Sequence, residues 1–214
     1  IAPVELPARQ LTEPESLDLL LRHGVRTAPT VECPSLAHAK SAARAVAYPV
    51  VLKGVVASVA HKSDLGLVQT DLQTADALEA AHAAMGCQTV IVQKMVKGDA
   101  EAIAGVARSD GVGLVLLAGL GGIYAEALQD VTTWPIPVPR EAIEAKLAAS
   151  SLGRVLGSPR WKHPAAGPAF VDLLMALQRA ALALGDRVHA IDVNPVVLGA
   201  AGAIAVDALV IPSA

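Results

Sequence analysis

Aromatic side chains are nearly missing from this sequence: its 214 residues include two Trp, two Tyr and one Phe. Stacking platforms for single-stranded nucleic acid need such rings, so their scarcity argues against that class of partner. A basic stripe for a phosphate backbone is missing too, because the formal net charge is −3. Cysteine is limited to Cys33 and Cys87, neither in a CxxC pair nor at ligand spacing from a histidine. Two reduced thiols in a cytoplasmic protein are therefore expected. No basic, apolar leader opens the chain, which begins Ile-Ala-Pro-Val-Glu-Leu-Pro. The most apolar run, Gly111 to Ala125, is broken by five glycines and falls short of the ~20 residues a spanning helix needs. Neither a nucleic acid nor a membrane is the expected partner. Common phosphate motifs are absent as well. Lys62-Ser63 lacks the glycine loop of a P-loop, and the glycines at 119, 121 and 122 do not match GxGxxG.

What is present is a large apolar fraction, 53%, drawn mostly from Ala, Val and Leu, enough to bury a core. Hydrophobic periodicity predicts helices over Leu11–His23, with Thr12 as N-cap, from Ser35 through Ala47, and over Thr74–Met85. Further helices are predicted over Glu141–Ala149 and Ala169–Leu184. Strands are predicted at Val25–Val31, Val50–Lys53, Leu67–Asp71, Thr89–Gln93, Glu101–Ala107, Gly113–Ala118, Ile123–Leu128 and Val131–Trp134. Three more, Val188–Asn194, Val196–Leu198 and Ala203–Val210, close the chain. Residues 57–66 read as a polar loop and residues 153–168 as a Gly/Pro-rich loop. The fold class is α/β (α+β), in two lobes spanning residues 1–95 and 96–214. The hinge falls at Gln93–Gly98, and a cleft between such lobes is the default ligand site.

Several residues have chemistry in reach. Lys53 ends an apolar strand. It either snorkels to water or holds an anion such as phosphate. His61-Lys62-Ser63-Asp64 gathers an imidazole, an ammonium, a hydroxyl and a carboxylate on one loop. Gly66 beyond it permits close backbone approach to a phosphate. A loop histidine can be a phosphoryl nucleophile; a solvated turn is the plainer reading. Asp192 and Asn194 share a strand face. If Gly199-Ala200-Ala201-Gly202 is a hairpin loop, Leu198 faces Ala203 and Asn194 lies opposite Asp207, about 5 Å away. An amide oxygen and a carboxylate so placed suit Mg²⁺ completed by phosphate oxygens. The alternative is an Asx turn before Pro195 and an unrelated Asp207. Glu101 follows the hinge, facing a ribose hydroxyl, a metal or solvent. Glu126 and Asp130 have no assigned task. Arg154, Arg160 and Lys162 read as a solvated loop, and His23, His38, His82, His163 and His189 as structural.

Taken in order, Pro49 to Lys53, His61-Lys62-Ser63-Asp64 with Gly66, Val92-Gln93-Lys94-Met95-Val96, Gly119-Leu120-Gly121-Gly122, and Asp192-Val193-Asn194-Pro195 with Ala205-Val206-Asp207-Ala208 resemble one family. They look like the ATP-grasp domain of NDP-forming acyl-CoA synthetases, typified by ADP-forming acetyl-CoA synthetase, and more distantly the succinyl-CoA synthetase β subunit. The resemblance covers about Leu11 to Ile211. It implies an ATP-grasp fold with ATP or ADP in a cleft between two lobes. Lys53 would hold the α- or β-phosphate. The backbone of Gln93 to Val96, including Met95, would read adenine, and Glu101 would reach the ribose. Asn194 and Asp207 would ligate Mg²⁺. His61 would carry a phosphoryl group between the nucleotide and a second phosphohistidine elsewhere, and Ser63 and Gly66 would line the phosphate loop.

Two departures stand out: Leu67 where a second glycine is usual, and Arg160-Trp161 where an arginine-glycine pair is common. The CoA-binding motif and the second histidine segment are not in this sequence. Partner domains, in cis or as a separate subunit, are therefore expected to bind CoA and a small carboxylic acid. An excised domain is the expected origin, because the first residue is not Met. Two alternatives are a degenerate ATP-grasp binding module, as in relatives fused to acetyltransferases, and an ATP-grasp carboxylate–amine ligase.

Overall fold

The computed structural model describes residues 6–55, 66–122 and 130–213. It divides into two compact units. The smaller is Ala28–Val96; the larger joins the segment ending at Thr27 to Lys97 and everything after it. The expected lobes, 1–95 and 96–214, differ from this chiefly in where the first helix belongs.

That helix, α1 (Glu13–Arg22), starts where expected. Thr12 accepts from the Glu15 amide, and the Glu15 carboxylate accepts from the Thr12 amide, so two otherwise orphaned donors are satisfied. Arg9 grips the same carboxylate with two bonds of 2.7 Å and, with Thr12, holds its pKa down at about 2. Long-range bonds then decide the helix's place. The Leu11 amide donates to the Val210 carbonyl at 3.1 Å, and the Val210 amide donates to Ser16 Oγ at 3.0 Å. Periodicity in the first 27 residues holds no trace of partners so far along the chain.

In the smaller unit, strands β1 (Thr30–Cys33), β2 (Val50–Gly54), β3 (Val68–Leu72) and β4 (Val90–Lys94) form an antiparallel sheet in the order β1-β4-β2-β3. Helices α2 (Leu36–Val46) and α3 (Ala75–Met85) pack on it. Ser35 and Thr74 cap them as N-cap side chains. The core is Val50, Leu52, Val90 and Val92 from the central strands against Ala39, Ala43 and Leu78 from the helices. Strand residues alternate between faces. Val51, Lys53, Ile91 and Gln93 therefore occupy the face away from the helices.

In the larger unit, β5 (Ala100–Ser109), β6 (Gly113–Leu120), β7 (Val131–Pro135), β8 (Val188–Gly199) and β10 (Leu209–Pro212) run in the order β10-β8-β5-β6-β7, with β9 (Gly202–Ala205) also paired to β8. Helices α4 (Arg140–Ala149), α5 (Ser151–Leu156) and α6 (Ala166–Leu184) cover one face. Ala102, Ala104, Val106, Leu116, Ile191 and Val193 meet Phe170, Leu174 and Leu177 there. The stretch Ala166–Arg187 is long and apolar enough, by length and composition alone, to cross a membrane, yet 56% of its apolar window is buried inside the chain.

Four expectations change, the first being that Ala203–Val210 is not one strand but two, β9 ending at Ala205 and β10 starting at Leu209. The Gly/Pro-rich loop hides α5, which Ser150 caps by accepting from the Gly153 amide. Val25–Val31 is not one strand: Thr27 makes a single parallel bridge to Ala205, and β1 begins at Thr30. Pro195 does not divide a strand, because β8 runs through it. Residues 123–128, expected as a strand, lie outside the described residues.

Candidate functional site

The site residues fall in both units, and each unit's set has its own logic. In the smaller unit Lys53 sits on β2 opposite Ile91 and Val68. It is only 7% exposed, which removes the reading of a lysine reaching water. An ammonium so buried is stable only against polar or anionic partners. Gln93, two strand positions from Ile91 on the same face, is 2% exposed. Its Nε2–H donates to Thr30 Oγ1 at 2.8 Å, and the Thr30 hydroxyl donates to the Ala28 carbonyl. Thr30 gave no signal in the sequence.

Beyond Gln93 the backbone leaves the sheet under control. The Lys94 amide donates to Pro29 O at 2.9 Å and the Met95 amide to Pro49 O at 3.1 Å. Lys94 Nζ donates to the carbonyls of Ala47 and Tyr48. Val96, half-buried, makes no hydrogen bond among the described residues. Gly66 adopts φ +68°, and a Cβ there would meet nothing within 4 Å. His61 and Ser63, with Lys62, Asp64 and Glu126, lie outside the described residues.

The larger unit carries carboxylates on its open sheet face. Glu101, Ile103 and Gly105 alternate with the buried Ala102 and Ala104 on β5, and Gly105 pairs with Asp192 of β8. The pairing then slips. Ala104 faces Val193 and Ala102 faces Val196, so Asn194 and Pro195 together oppose Ile103. This β-bulge reverses the alternation of β8: Ile191 and Val193 are core residues before it, Val196 and Leu198 after it. Bulges commonly re-aim side chains beside functional sites. Asp192 and Asn194 are left exposed on the open face.

On the other side of β8 the expected hairpin register is present. Leu198 pairs with Ala203 and Val196 with Ala205. The ladder continues past β9, where the Val206 amide donates to Pro195 O at 3.1 Å and the Asn194 amide to Asp207 O at 3.3 Å. Asp207 therefore lies beside the bulge, where β9 gives way to β10. Asp192 is more than a third exposed, yet nearby protein strips enough hydration to raise its carboxyl pKa, offset in part by the Val193 amide.

Glu101 is positioned by a glycine turn. The Gly121 amide donates to its carbonyl at 2.8 Å. A Cβ on Gly122, whose φ is +66°, would stand 3.2 Å from Glu101 Oε2. Glycine there gives the carboxylate its space. Among the described residues no group of three or more His, Cys, Asp or Glu side chains could hold a metal by itself. An amide oxygen and a carboxylate at Asn194 and Asp207 are donors of the kind a hard cation takes, and such a cation would need further oxygen ligands from outside the chain.

The remaining candidates are structural. Asp130 Oδ2 accepts from the Ser151 amide at 2.7 Å, and its bonds to Ser151 lower its pKa; it caps α5. Arg154 binds back to Ser151 Oγ and Ala149 O. Cys33 and Cys87 are free thiols. His23 is buried, and its Nε2 has no hydrogen-bond partner among the described residues.

Known proteins share this fold. A family model described as an ATP-grasp domain matches residues 5–211. ADP-forming acetate–CoA ligase I of Archaeoglobus fulgidus is 32% identical over 203 residues, which are 90% of this chain but 30% of the ligase. The chain thus spans under a third of that relative's length. The β subunit of ADP-forming acetate–CoA ligase I of Pyrococcus furiosus is 29% identical over 214 residues, covering 95% of this chain and 92% of the subunit. Acetyl-coenzyme A synthetase 1 of Ca. Korarchaeum cryptofilum, solved with coenzyme A and Ca-AMPCP, aligns at a TM-score of 0.89 with 25% identity, over 96% of this chain and 94% of that one. The same protein solved with coenzyme A and Mg-AMPPCP, its phosphohistidine segment pointing towards the nucleotide binding site, gives a TM-score of 0.83 and 27% identity over 96% and 93%. With the match running over residues 5–211, the chain belongs to the ATP-grasp domain family.

Proposed function

We propose that this chain is the nucleotide-binding and phosphoryl-transfer portion of an ADP-forming acyl-CoA ligase. The reaction is the reversible conversion of acyl-CoA, ADP and phosphate to a carboxylic acid, ATP and CoA. The observation that carries the reading is the bulge at Asn194–Pro195, where the Asn194 amide N–H meets the Asp207 carbonyl and an amide-bearing and a carboxylate-bearing residue stand opposite each other. The names of the relatives and the nucleotide in the Korarchaeum synthetase support it.

In this reading Lys53 binds the α- or β-phosphate, and burial strengthens the contact by excluding competing water. Val96, after Gln93 and Met95, offers its backbone N–H and C=O to adenine. Glu101 accepts from a ribose hydroxyl, and Ser63 and Gly66 close on the phosphates. Asn194 and Asp207 would hold Mg²⁺, which when bound neutralises phosphate charge. His61 is the phosphoryl acceptor: an imidazole nitrogen forms an N–P bond as the bond between phosphorus and the departing ADP oxygen breaks. In the reverse direction ADP takes the group back. CoA, the acyl group and a second phosphohistidine belong to a partner portion, in cis or as a subunit.

Incubation with γ-labelled ATP and Mg²⁺ tests the reading. Acid-labile, base-stable label on His61, absent from His61→Ala, is expected. ATP binding without label in the wild type overturns the histidine role and favours a carboxylate–amine ligase, whereas label retained in His61→Ala overturns the assignment to His61.

A further inference from the structure

We infer that His163 and Asp99 form a clasp that positions the first residues of β5, and with them Glu101. Their side chains are 64 positions apart in sequence, and His163 Nε2–H meets Asp99 Oδ2 at 3.0 Å. Each end of this bond is itself anchored. Trp161 packs against the larger unit's core and sets its ring edge-on to His163, with centroids 5.5 Å apart and an interplanar angle of 89°. Trp161 Nε1–H donates to the His163 carbonyl at 2.8 Å. The Ala166 amide, at the start of α6, donates to the same carbonyl at 2.9 Å. His163 is thus fixed in backbone and ring by a tryptophan and a helix.

Asp99 is held on its other side by β8, since its amide donates to Leu198 O at 2.9 Å. Gly98 lies so close to that strand that a Cβ would come within 2.5 Å of both Leu198 O and Val197 Cγ1. Gly199 meets Gly98 in the same way, a Cβ there falling 2.9 Å from Gly98 Cα. Residues 98–99 are therefore pressed onto the end of β8, and the His163 bond closes the remaining side. Two residues later Glu101 pairs with Val197 and presents its carboxylate over Gly122. The β8–β9 hairpin that receives residues 98–99 also sets the register of Asn194 and Asp207.

A surface pair of this kind adds little to global stability. What it does is remove alternative conformations from the segment that leads into Glu101, so less ordering remains to be done when a ligand arrives. His163 and Asp99 are positioning residues: neither needs to touch the ligand. The clasp stands on geometry within the larger unit, whereas its effect on ligand affinity rests on the proposed role of Glu101.

Hydrogen exchange of the ligand-free full chain, read at residues 99–102 with Val106 as internal reference, is the first arm. His163→Ala is expected to speed exchange there about tenfold and leave Val106 unchanged. His163→Gln, which can still donate to Asp99, should restore the rate to within about threefold of wild type. Asp99→Ala should match His163→Ala, and the double variant should be no faster than either, as for a true pair. Wild-type exchange in the single variants, or additive effects in the double, overturns the clasp. The second arm titrates Mg·ADP, with about a fivefold loss of affinity expected in His163→Ala and recovery in His163→Gln. Loosened exchange with unchanged affinity overturns the positioning role. A wild type that binds no Mg·ADP contradicts the proposed function instead, and the exchange arm still decides the clasp.

Discussion

On the helix-free face of the smaller unit, Lys53 is 7% exposed. In the larger unit, Glu101 and Asp192 on the open face and Asp207 beside the bulge are all at least partly exposed. Under the proposed function, the difference matches what each charge would meet in a phosphate ligand. An ammonium pairs with phosphate directly, and burying it strengthens that contact. Carboxylates repel phosphate and must keep room for a divalent cation and its waters. The backbone follows the same division. Lys53 sits where β2 pairs in regular register with β4, whereas Asn194 and Asp207 are brought together where a bulge and a strand change coincide.

Lys53→Met tests the direct half of this contrast and carries the largest expected effect. It keeps an apolar stem and removes the charge. Nucleotide affinity by calorimetry should fall on the order of 100- to 1,000-fold, as when a preorganised donor to an anion is removed. A loss of less than about threefold would mean that the buried lysine is only a packing residue.

Asn194→Ala tests the metal half. It removes one proposed ligand and leaves the backbone bond to Asp207 O in place. Affinity for Mg·ATP should drop roughly 100-fold, about 2.7 kcal/mol, while affinity for metal-free ATP is unchanged. Equal losses with and without Mg²⁺ would place Asn194 on the nucleotide rather than on the metal.

Gly122→Ala probes the turn that makes room for Glu101. A Cβ at 3.2 Å from Oε2, on a backbone with φ +66°, both displaces the carboxylate and strains the turn, at roughly 1–2 kcal/mol. About a tenfold weaker nucleotide affinity and a slightly lower melting temperature are expected. Unchanged affinity would remove Glu101 from the site.

The smallest effect concerns pH. Burial, aided by Arg22, lowers the His23 pKa in the folded chain. Below the unfolded value of about 6.5 the unfolded chain takes up a proton that the folded chain resists. Stability is therefore full above that pH and falls as pH drops through it, by at most about 1.4 kcal/mol per pH unit, levelling off below the folded pKa. Denaturant unfolding between pH 7.5 and 5 should show this slope in the wild type and lose it in His23→Leu.

Much of the fold was legible because its signals are local. Thr12, Ser35 and Thr74 mark helix starts by capping chemistry, and a four-residue glycine-bounded loop was enough to pair Leu198 with Ala203. The neighbouring residues show where such signals end. Pro195 reads as a strand break, but the proline sits in a bulge, where a missing amide is tolerated. The short helix α5 is concealed because Gly153 and the loop around it carry turn residues. The placing of α1 and the partner of His163 depend on contacts 194 and 64 residues apart, which no periodicity encodes. Lys53 was legible as a candidate, but its burial required the sheet.

The most direct test of the central claim is calorimetric titration of ADP, with Mg²⁺ and with the metal chelated, into the wild type and Asp207→Asn. The predicted result is a wild type that binds far more tightly with Mg²⁺, by on the order of 100-fold, and a variant that loses most of that gain but keeps its metal-free affinity. Binding indifferent to Mg²⁺, or a metal-dependent gain of the same size in Asp207→Asn, would contradict a nucleotide–metal site built on the Asn194–Pro195 bulge.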